Sequence, residues 1–405
     1  MTAVDAARLQ FALLAGIHFL FVLVTLGLGP VVAVLQTRWA LTGREVFERA
    51  TRFWGQLYLV NYALGIAAGI VMELQLGLHF PGLLEVAGGV IGAPLVVETM
   101  AAFFLESTFL GIWVFGWHLL PRAVHTAAIW GVVVTGYLSA FTVMVANGFL
   151  RHPVGYVMED GEAHIADVGE LVTNPAAVVS AVHALGACLV AGGFLLVGVS
   201  AWHLRRTAPD GDDDLWRRSL RTGLVTGTLG AFVAMASGFA QFTYFQDVEA
   251  AQEPVVGIAY GVMDLVAFMT FLCGAGMLLL LVRGALFRLW TPARHGLYRV
   301  LTALIAVPFA TALLGWVARE VGRQPWAIVG VLRTEDAVSD ASFATVMTSL
   351  VVLVGVLGAL AVADWTVLAR LARRGDDRLA LGAPPADVLA DPDPTADVLA
   401  FGGAR

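Results

Sequence analysis

At 405 residues, 59% of them hydrophobic and only 14% charged, the chain is too apolar for a water-soluble domain. Its net charge of −7 is carried by connections and the tail, no basic patch marks a nucleic-acid partner, and all 24 basic residues are arginine. Its two cysteines, Cys188 and Cys273, lie inside apolar runs with no CxxC or CxxCH pattern, which excludes covalent haem attachment and argues against a disulfide scaffold.

Nine stretches approach or exceed the roughly 20 apolar residues that cross a bilayer. They fall at about 11–36, 55–76, 95–118, 124–148, 176–204, 221–241, 256–283, 299–318 and 344–369. All nine are expected to be helices, because an open sheet edge leaves backbone groups unsatisfied in lipid. No basic region or small-residue cleavage site precedes the first run, so it reads as a retained helix rather than a signal peptide.

In chain order, span one carries His18 and is followed by Arg38, Arg44, Arg49 and Arg52. No positive residue separates span two from span three. Span three holds Glu98 and Glu106, which on a regular α-helix project within about 80° of each other and about 12 Å apart along the axis. One can sit beside a metal centre while the other relays protons toward it. Arg122 follows span three; after span four, Arg151 stands among Glu159, Asp160, Glu162, Asp167 and Glu170. Span five carries His183 and leads to Arg205, Arg206, Arg217 and Arg218. Span seven carries Met263 and Asp264 and is followed by Arg283, Arg288 and Arg294. Span eight ends in GWVAREVGRQPW (Gly315 to Trp326), where Glu320 lies between Arg319 and Arg323, and Arg333 follows among Glu335, Asp336 and Asp340. Arg370, Arg373 and Arg374 close span nine. The positive-inside rule then places the N-terminus outside and the C-terminus in the cytoplasm. From about Arg373 the composition turns to Arg, Asp, Pro, Gly and Ala with the near-repeats PPADVLADPDP and TADVLAFGG, so residues 373–405 read as a disordered tail after a membrane domain of residues 1–372.

The polar residues His18, Glu98, Glu106, His183, Met263, Asp264 and Glu320 are expected in the outer halves of five helices. Any one of them alone has a structural reading: a membrane histidine bonded to a neighbouring helix, a methionine filling the core, or a glutamate donating between helices. As a set they are harder to dismiss, because histidine, methionine and carboxylate are also axial ligands of haem iron. The arginines of the last outer connection break the charge pattern, and two readings stand for them: an anion site such as a haem propionate would need, or a salt bridge to Glu320.

The runs RLQFALLAGIHFLFVLVTLG (Arg8 to Gly27), FWGQLYLVNYALGIAAGIVMELQLG (Phe53 to Gly77), GAPLVVETMAAFFLESTFLGIWVFGW (Gly92 to Trp117), VANGFLRHP (Val145 to Pro153) and GWVAREVGRQPW resemble subunit I of the cytochrome bd oxidase family. The resemblance implies an all-α, nine-helix haem-binding bundle in the bacterial plasma membrane. It further implies a homologous subunit II as partner, and an enzyme that takes electrons from quinol and reduces dioxygen to water with protons from the cytoplasm. The cofactors implied are a low-spin haem b, a high-spin haem b, and haem d or a third haem b. Carried over by residue, His18 matches the histidine ligand of one high-spin haem and Glu320 the carboxylate ligand of the other. Glu98 matches the carboxylate beside that metal pair, while Glu106 and Ser139 match the proton path. His183 matches the low-spin histidine, Trp316 an aromatic bridging the haems, and Arg8 and Arg323 positions suited to propionates.

Two departures stand out. The family's arginine two residues before the low-spin methionine is here Gly261; Met263 is taken as that ligand, with Met269 as its rival. The quinol loop shrinks to QFTYFQDVEAAQEP (Gln241 to Pro254) without a lysine, leaving Glu249 and Glu253 as weak stand-ins. Three readings remain: a short-loop bd-type quinol oxidase, a bd-like oxygen reductase fed by another donor, and a non-catalytic haem-binding sensor.

Overall fold

The computed structural model describes residues 1–207, 213–245, 254–282, 284–288, 291–377 and 379–383. Among them, nine helices are long and apolar enough to cross a membrane, as the hydropathy pattern predicts. They are α1 (Ala3–Thr42), α2 (Glu45–His79), α3 (Pro81–Phe115), α4 (Arg122–Arg151), α5 (Pro175–Leu204), α6 (Asp214–Phe245), α7 (Pro254–Val282), α8 (Thr291–Gly322) and α9 (Phe343–Arg374). Two small antiparallel hairpins interrupt the series: β1 (Tyr156–Glu159) with β2 (Glu162–Ile165), and β3 (Trp326–Ile328) with β4 (Leu332–Arg333).

α1 is the hub, touching α2, α4, α5, α8 and α9. Its start is fixed by a reciprocal cap: the Thr2 hydroxyl accepts from the Asp5 amide at 3.2 Å and the Asp5 carboxylate accepts from the Thr2 amide at 2.8 Å. It ends at Gly43, whose φ of 66° closes the helix left-handed. Where α1 meets α5 and α5 meets α6 there is no room for side chains. A Cβ added at Gly27 would lie 2.2 Å from the Cys188 carbonyl oxygen, and one at Gly193 would lie 2.5 Å from Gly227 Cα. Such small-residue contacts replace the missing hydrophobic drive between helices in lipid.

The arginine-rich connections meet at one end of the bundle. Arg44 reaches Asp214 at 3.8 Å, Arg49 reaches Asp376 at 2.8 Å and Arg217 reaches Asp213 at 2.7 Å. At the opposite end both hairpins pack with Ala6, Ala7, Phe80, Leu83 and Phe149 into a separate apolar cluster. The threading thus matches the alternation of loop charge.

Three boundaries differ from expectation. α3 begins at Pro81 rather than near residue 95, because its first turns, despite Gly88, Gly89 and Pro94, pack on the β1–β2 hairpin, where a Cβ at Gly89 would lie 2.6 Å from the Ala163 carbonyl oxygen. Glu106 consequently falls in the inner half of α3, not the outer half. α8 begins at Thr291 and tightens into a 3₁₀ turn at Leu304–Ala306, before Pro308, which has no N–H to offer the preceding turn. Finally, residues 379–383 do not leave the bundle as the expected tail would. Leu381 is buried, the Ala380 and Leu381 amides donate to Gln56 Oε1 at 2.9 and 3.3 Å, and His118 meets the Gly382 carbonyl at 2.8 Å. The apolar side chain of Leu381 supplies the anchor that the polar composition around it concealed. The expected tail also gives up its first residues to α9, which runs to Arg374, and Asp376 pairs with Arg49; beyond residue 383 the tail, like Glu249 and Glu253, lies outside the described residues.

Candidate haem-binding site

His183 stands on α5 facing α6. Its Nδ1 lies 2.9 Å from the Ala234 carbonyl, an acceptor only, so Nδ1 carries the proton and Nε2 is left with its lone pair. That is the tautomer of a metal-binding histidine, held by a backbone carbonyl behind the ring. Met263, on α7, aims its sulfur at α8: a Cβ added at Gly315 would lie 2.5 Å from Met263 Sδ. The glycine leaves a cradle there. Met269, its rival, is exposed.

His18 sits on α1 against α2, where a Cβ at Gly69 would meet its ring at 3.3 Å. Its Nδ1 is buried with no hydrogen-bond partner among the described residues, an orphaned donor or acceptor of the kind native cores avoid. One turn further along α2, on the same face, is Glu73. Thr99 links it to α3: the Thr99 hydroxyl lies 3.3 Å from Glu73 Oε1 and 3.4 Å from Glu98 Oε2. Glu98 in turn accepts from Ser139 of α4 at 3.3 Å.

The run Met100–Glu106 between the two glutamates is a π-helical segment, so the regular spacing assumed for Glu98 and Glu106 does not apply. The widened turns re-aim Glu106. Both carboxyls now face α4 one turn apart, Glu98 at Ser139 and Glu106 at Gly136, where a Cβ would come within 2.8 Å of Glu106 Oε1.

Trp316 of α8 donates its indole N–H to the Ala12 carbonyl of α1 at 2.9 Å and packs near Phe11, with ring centroids 6.0 Å apart. α1 and α8 run antiparallel here, so Arg8 and Glu320 each lie one turn further out. Arg8 is 3.9 Å from Asp5 and remains partly exposed. Arg323 pairs with Glu320 at 2.9 Å, while its Nε is buried without a partner among the described residues. Of the two readings of these arginines, the salt bridge is present, and beyond it one buried donor is left over. Arg151 and Arg319 lie in the same group with Tyr260. Among the described residues this cluster brings three guanidinium groups to one carboxylate, and Arg319 also faces His183. Such an excess of buried positive charge fits the carboxylates of a haem.

Sequence reasoning missed Glu73 and Arg151. Glu73 carried a usable signal, an ionisable residue within a span; Arg151 was read as loop charge, whereas Arg319 was singled out with the other arginines of its connection. Among the described residues no three His, Cys, Asp or Glu side chains converge as a metal cage. The donors instead come singly, from separate helices, as axial ligation of a macrocycle requires.

A family model described as Cytochrome bd terminal oxidase subunit I matches residues 6–252 and 240–376. The chain is 30% identical over 437 aligned residues to cytochrome bd ubiquinol oxidase subunit 1 of Bacillus subtilis (strain 168), spanning 89% of this chain and 92% of that one. It is 38% identical over 237 residues to cytochrome bd-II ubiquinol oxidase subunit 1 of Escherichia coli (strain K12), spanning 58% and 46% respectively. The bd oxidase structure from Geobacillus thermodenitrificans superposes with a TM-score of 0.77 at 22% identity, covering 92% of this chain and 99% of that one, a likeness of fold.

Proposed function

The chain belongs to the cytochrome bd terminal oxidase subunit I family, and from that premise we propose that it is the haem-bearing subunit of a quinol-oxidising oxygen reductase, working with a subunit II homologue. As a member it is a multi-pass membrane oxidoreductase of a haem-containing family. The finer reading rests on one observation: a buried histidine, His18, whose Nδ1 has no hydrogen-bond partner among the described residues, lies one turn of α2 from the linked carboxyls Glu73 and Glu98.

In this reading His18 and Glu320 each hold one high-spin haem, and His183 with Met263 holds a low-spin haem b; the second high-spin group is haem d or a third haem b. When bound, haem would supply the electron-transfer couple and the place at which dioxygen is reduced. The chain's own work is positioning and proton supply. Ala234 fixes the His183 tautomer, Gly315 clears the space before Met263, and Arg323 with Arg151 and Arg319 neutralises propionates. Arg8 stands near the same level for that purpose, and Trp316 fills the junction of α1 and α8. Glu106, enclosed by α1 to α4, takes up protons of cytoplasmic origin; Glu98, held by Ser139, passes them toward His18. Carboxyls suit the task because they can hold a proton where water is scarce.

The absence of lysine from the whole chain favours a second reading for the donor alone, a bd-like reductase fed by another redox protein. Oxygen uptake by membranes co-expressing this chain and subunit II separates the two. Uptake driven by a ubiquinol or menaquinol analogue supports the first reading; uptake with an artificial one-electron donor but with neither quinol contradicts it and leaves the second.

A further inference from the structure

Glu106 opens, on its inner side, onto a cavity of about 10 Å³ between α1, α2, α3 and α4, lined by Thr25, Leu26, Gly29, Pro30, Tyr58, Tyr137 and the carboxyl of Glu106 itself. That volume is about the least that holds one water, which needs two to four polar partners.

The polarity of this cavity has a cause in the sequence. Pro30 lies inside α1 and has no N–H to give, so the carbonyl four residues earlier, Leu26, lacks its helical donor. The Tyr137 hydroxyl supplies the bond instead, donating to Leu26 at 3.0 Å. With its proton so engaged, the Tyr137 oxygen turns its lone pairs to the cavity. Thr25 is held likewise: Asn61 Nδ2 donates to its Oγ1 at 2.8 Å while also donating to the Phe21 carbonyl at 2.9 Å, which leaves the Thr25 O–H free to donate. A water here can donate to Tyr137 and to Glu106 and accept from Thr25. Tyr58, buried on α2, adds a third hydroxyl-bearing wall.

We propose that this cavity is a water site through which Glu106 is reprotonated from the cytoplasmic side, with Tyr137 and Thr25 as the residues that position the water. The proposal rests on the oxidase reading above. When a solvent proton arrives, the water accepts it and gives a different proton to the Glu106 carboxylate. The water ends neutral and unchanged, and the carboxylate ends as a carboxylic acid. No oxidant or reductant takes part. Tyr137 and Thr25 act through the water and touch neither haem nor oxygen, so their removal should slow proton supply without disturbing the haems.

The test uses the complex purified with subunit II and compares Tyr137→Phe, Thr25→Val and Thr25→Ser with the unaltered protein. Turnover, its solvent isotope effect, the haem spectrum and the infrared carboxyl band that Glu106→Gln abolishes are each measured. Loss of a water-positioning hydrogen bond predicts turnover reduced by up to about tenfold in Tyr137→Phe and Thr25→Val. The haem spectrum should be unchanged, the isotope effect larger and the carboxyl band shifted to higher frequency. Thr25→Ser, which keeps the hydroxyl, should keep turnover, isotope effect and carboxyl band near the unaltered values. If Tyr137→Phe and Thr25→Val turn over normally with the carboxyl band in place, the water site is refuted although the oxidase reading stands. If the unaltered complex itself reduces no oxygen, the oxidase reading fails first. Should Tyr137→Phe not assemble, the two Thr25 variants decide alone, and equal behaviour of Val and Ser overturns the proposal.

Discussion

Two polar clusters on the same helix show how a membrane protein distinguishes structure from site. Near the C-terminal end of α1, Gln36 is fully buried, yet the polar atoms of its side chain and of the His125 ring are all answered. Trp113 donates to Gln36 Oε1 at 2.5 Å, Gln36 Nε2 meets His125 Nδ1 at 2.9 Å, and His125 Nε2 meets the Trp113 carbonyl at 2.7 Å. The circuit closes on itself, and its indole and imidazole rings stack with centroids 6.4 Å apart. Eighteen residues earlier, about 27 Å along the axis, His18 has a buried nitrogen with no partner among the described residues, and Arg323 at the end of α8 has another. A closed circuit holds helices together. An open one is stable only if something else completes it, because an unmet buried polar group costs about 1–3 kcal/mol. The histidine that reads as structural is therefore His125, and the one that reads as functional is His18, although in the sequence both are histidines in or beside apolar spans.

Breaking the open cluster should have the larger consequences. His18→Ala is expected to remove one of the high-spin haems, seen as a lowered haem-to-protein ratio and a missing spectral component; an unchanged haem content contradicts the ligand role. Glu106→Gln keeps shape and removes a proton carrier. It should lower turnover by at least about 10²-fold, the low end for a positioned acid or base, with the spectrum intact; normal oxygen uptake would remove Glu106 from the path. In the closed cluster, Gln36→Leu should leave haem content and turnover alone while destabilising the fold by about 1–3 kcal/mol through the stranded Trp113 and His125 groups, read as a lower thermal midpoint. A haem loss there would erase the contrast between the clusters. Smallest is Arg49→Gln at the arginine-rich end: the ion pair with Asp376 is partly exposed, and such pairs are worth about 0–1 kcal/mol. A measured loss several times larger would mean that this end carries more than topology.

What the sequence disclosed follows the same division. Hydropathy reveals spans because lipid forces every backbone group into a helix, and ionisable residues within spans reveal His18, Glu98, Glu106, His183 and Glu320 because charge in lipid is costly. Partnership is another matter. That Ala234 holds His183, that Thr99 reaches Glu73, and that Tyr137 answers the carbonyl Pro30 leaves bare are contacts between helices, the partners standing 26 or more positions apart in the chain. The π-helical run Met100–Glu106 is equally silent, since MAAFFLE contains neither proline nor glycine. Arg151 looked like loop charge because position along the chain does not reveal that two helix ends converge. Leu381 was hidden by the polar composition of the tail around it.

The central claim is that the open cluster is completed by haems that reduce oxygen with electrons from quinol. Its most direct test is a reduced-minus-oxidised spectrum, with and without carbon monoxide, of membranes expressing this chain with its subunit II, reduced by a ubiquinol or menaquinol analogue. The account predicts b-type bands together with a high-spin component, seen in the far red if it is haem d, that shifts with carbon monoxide, all developed by quinol. Membranes that show no carbon-monoxide-sensitive haem even after dithionite would contradict it.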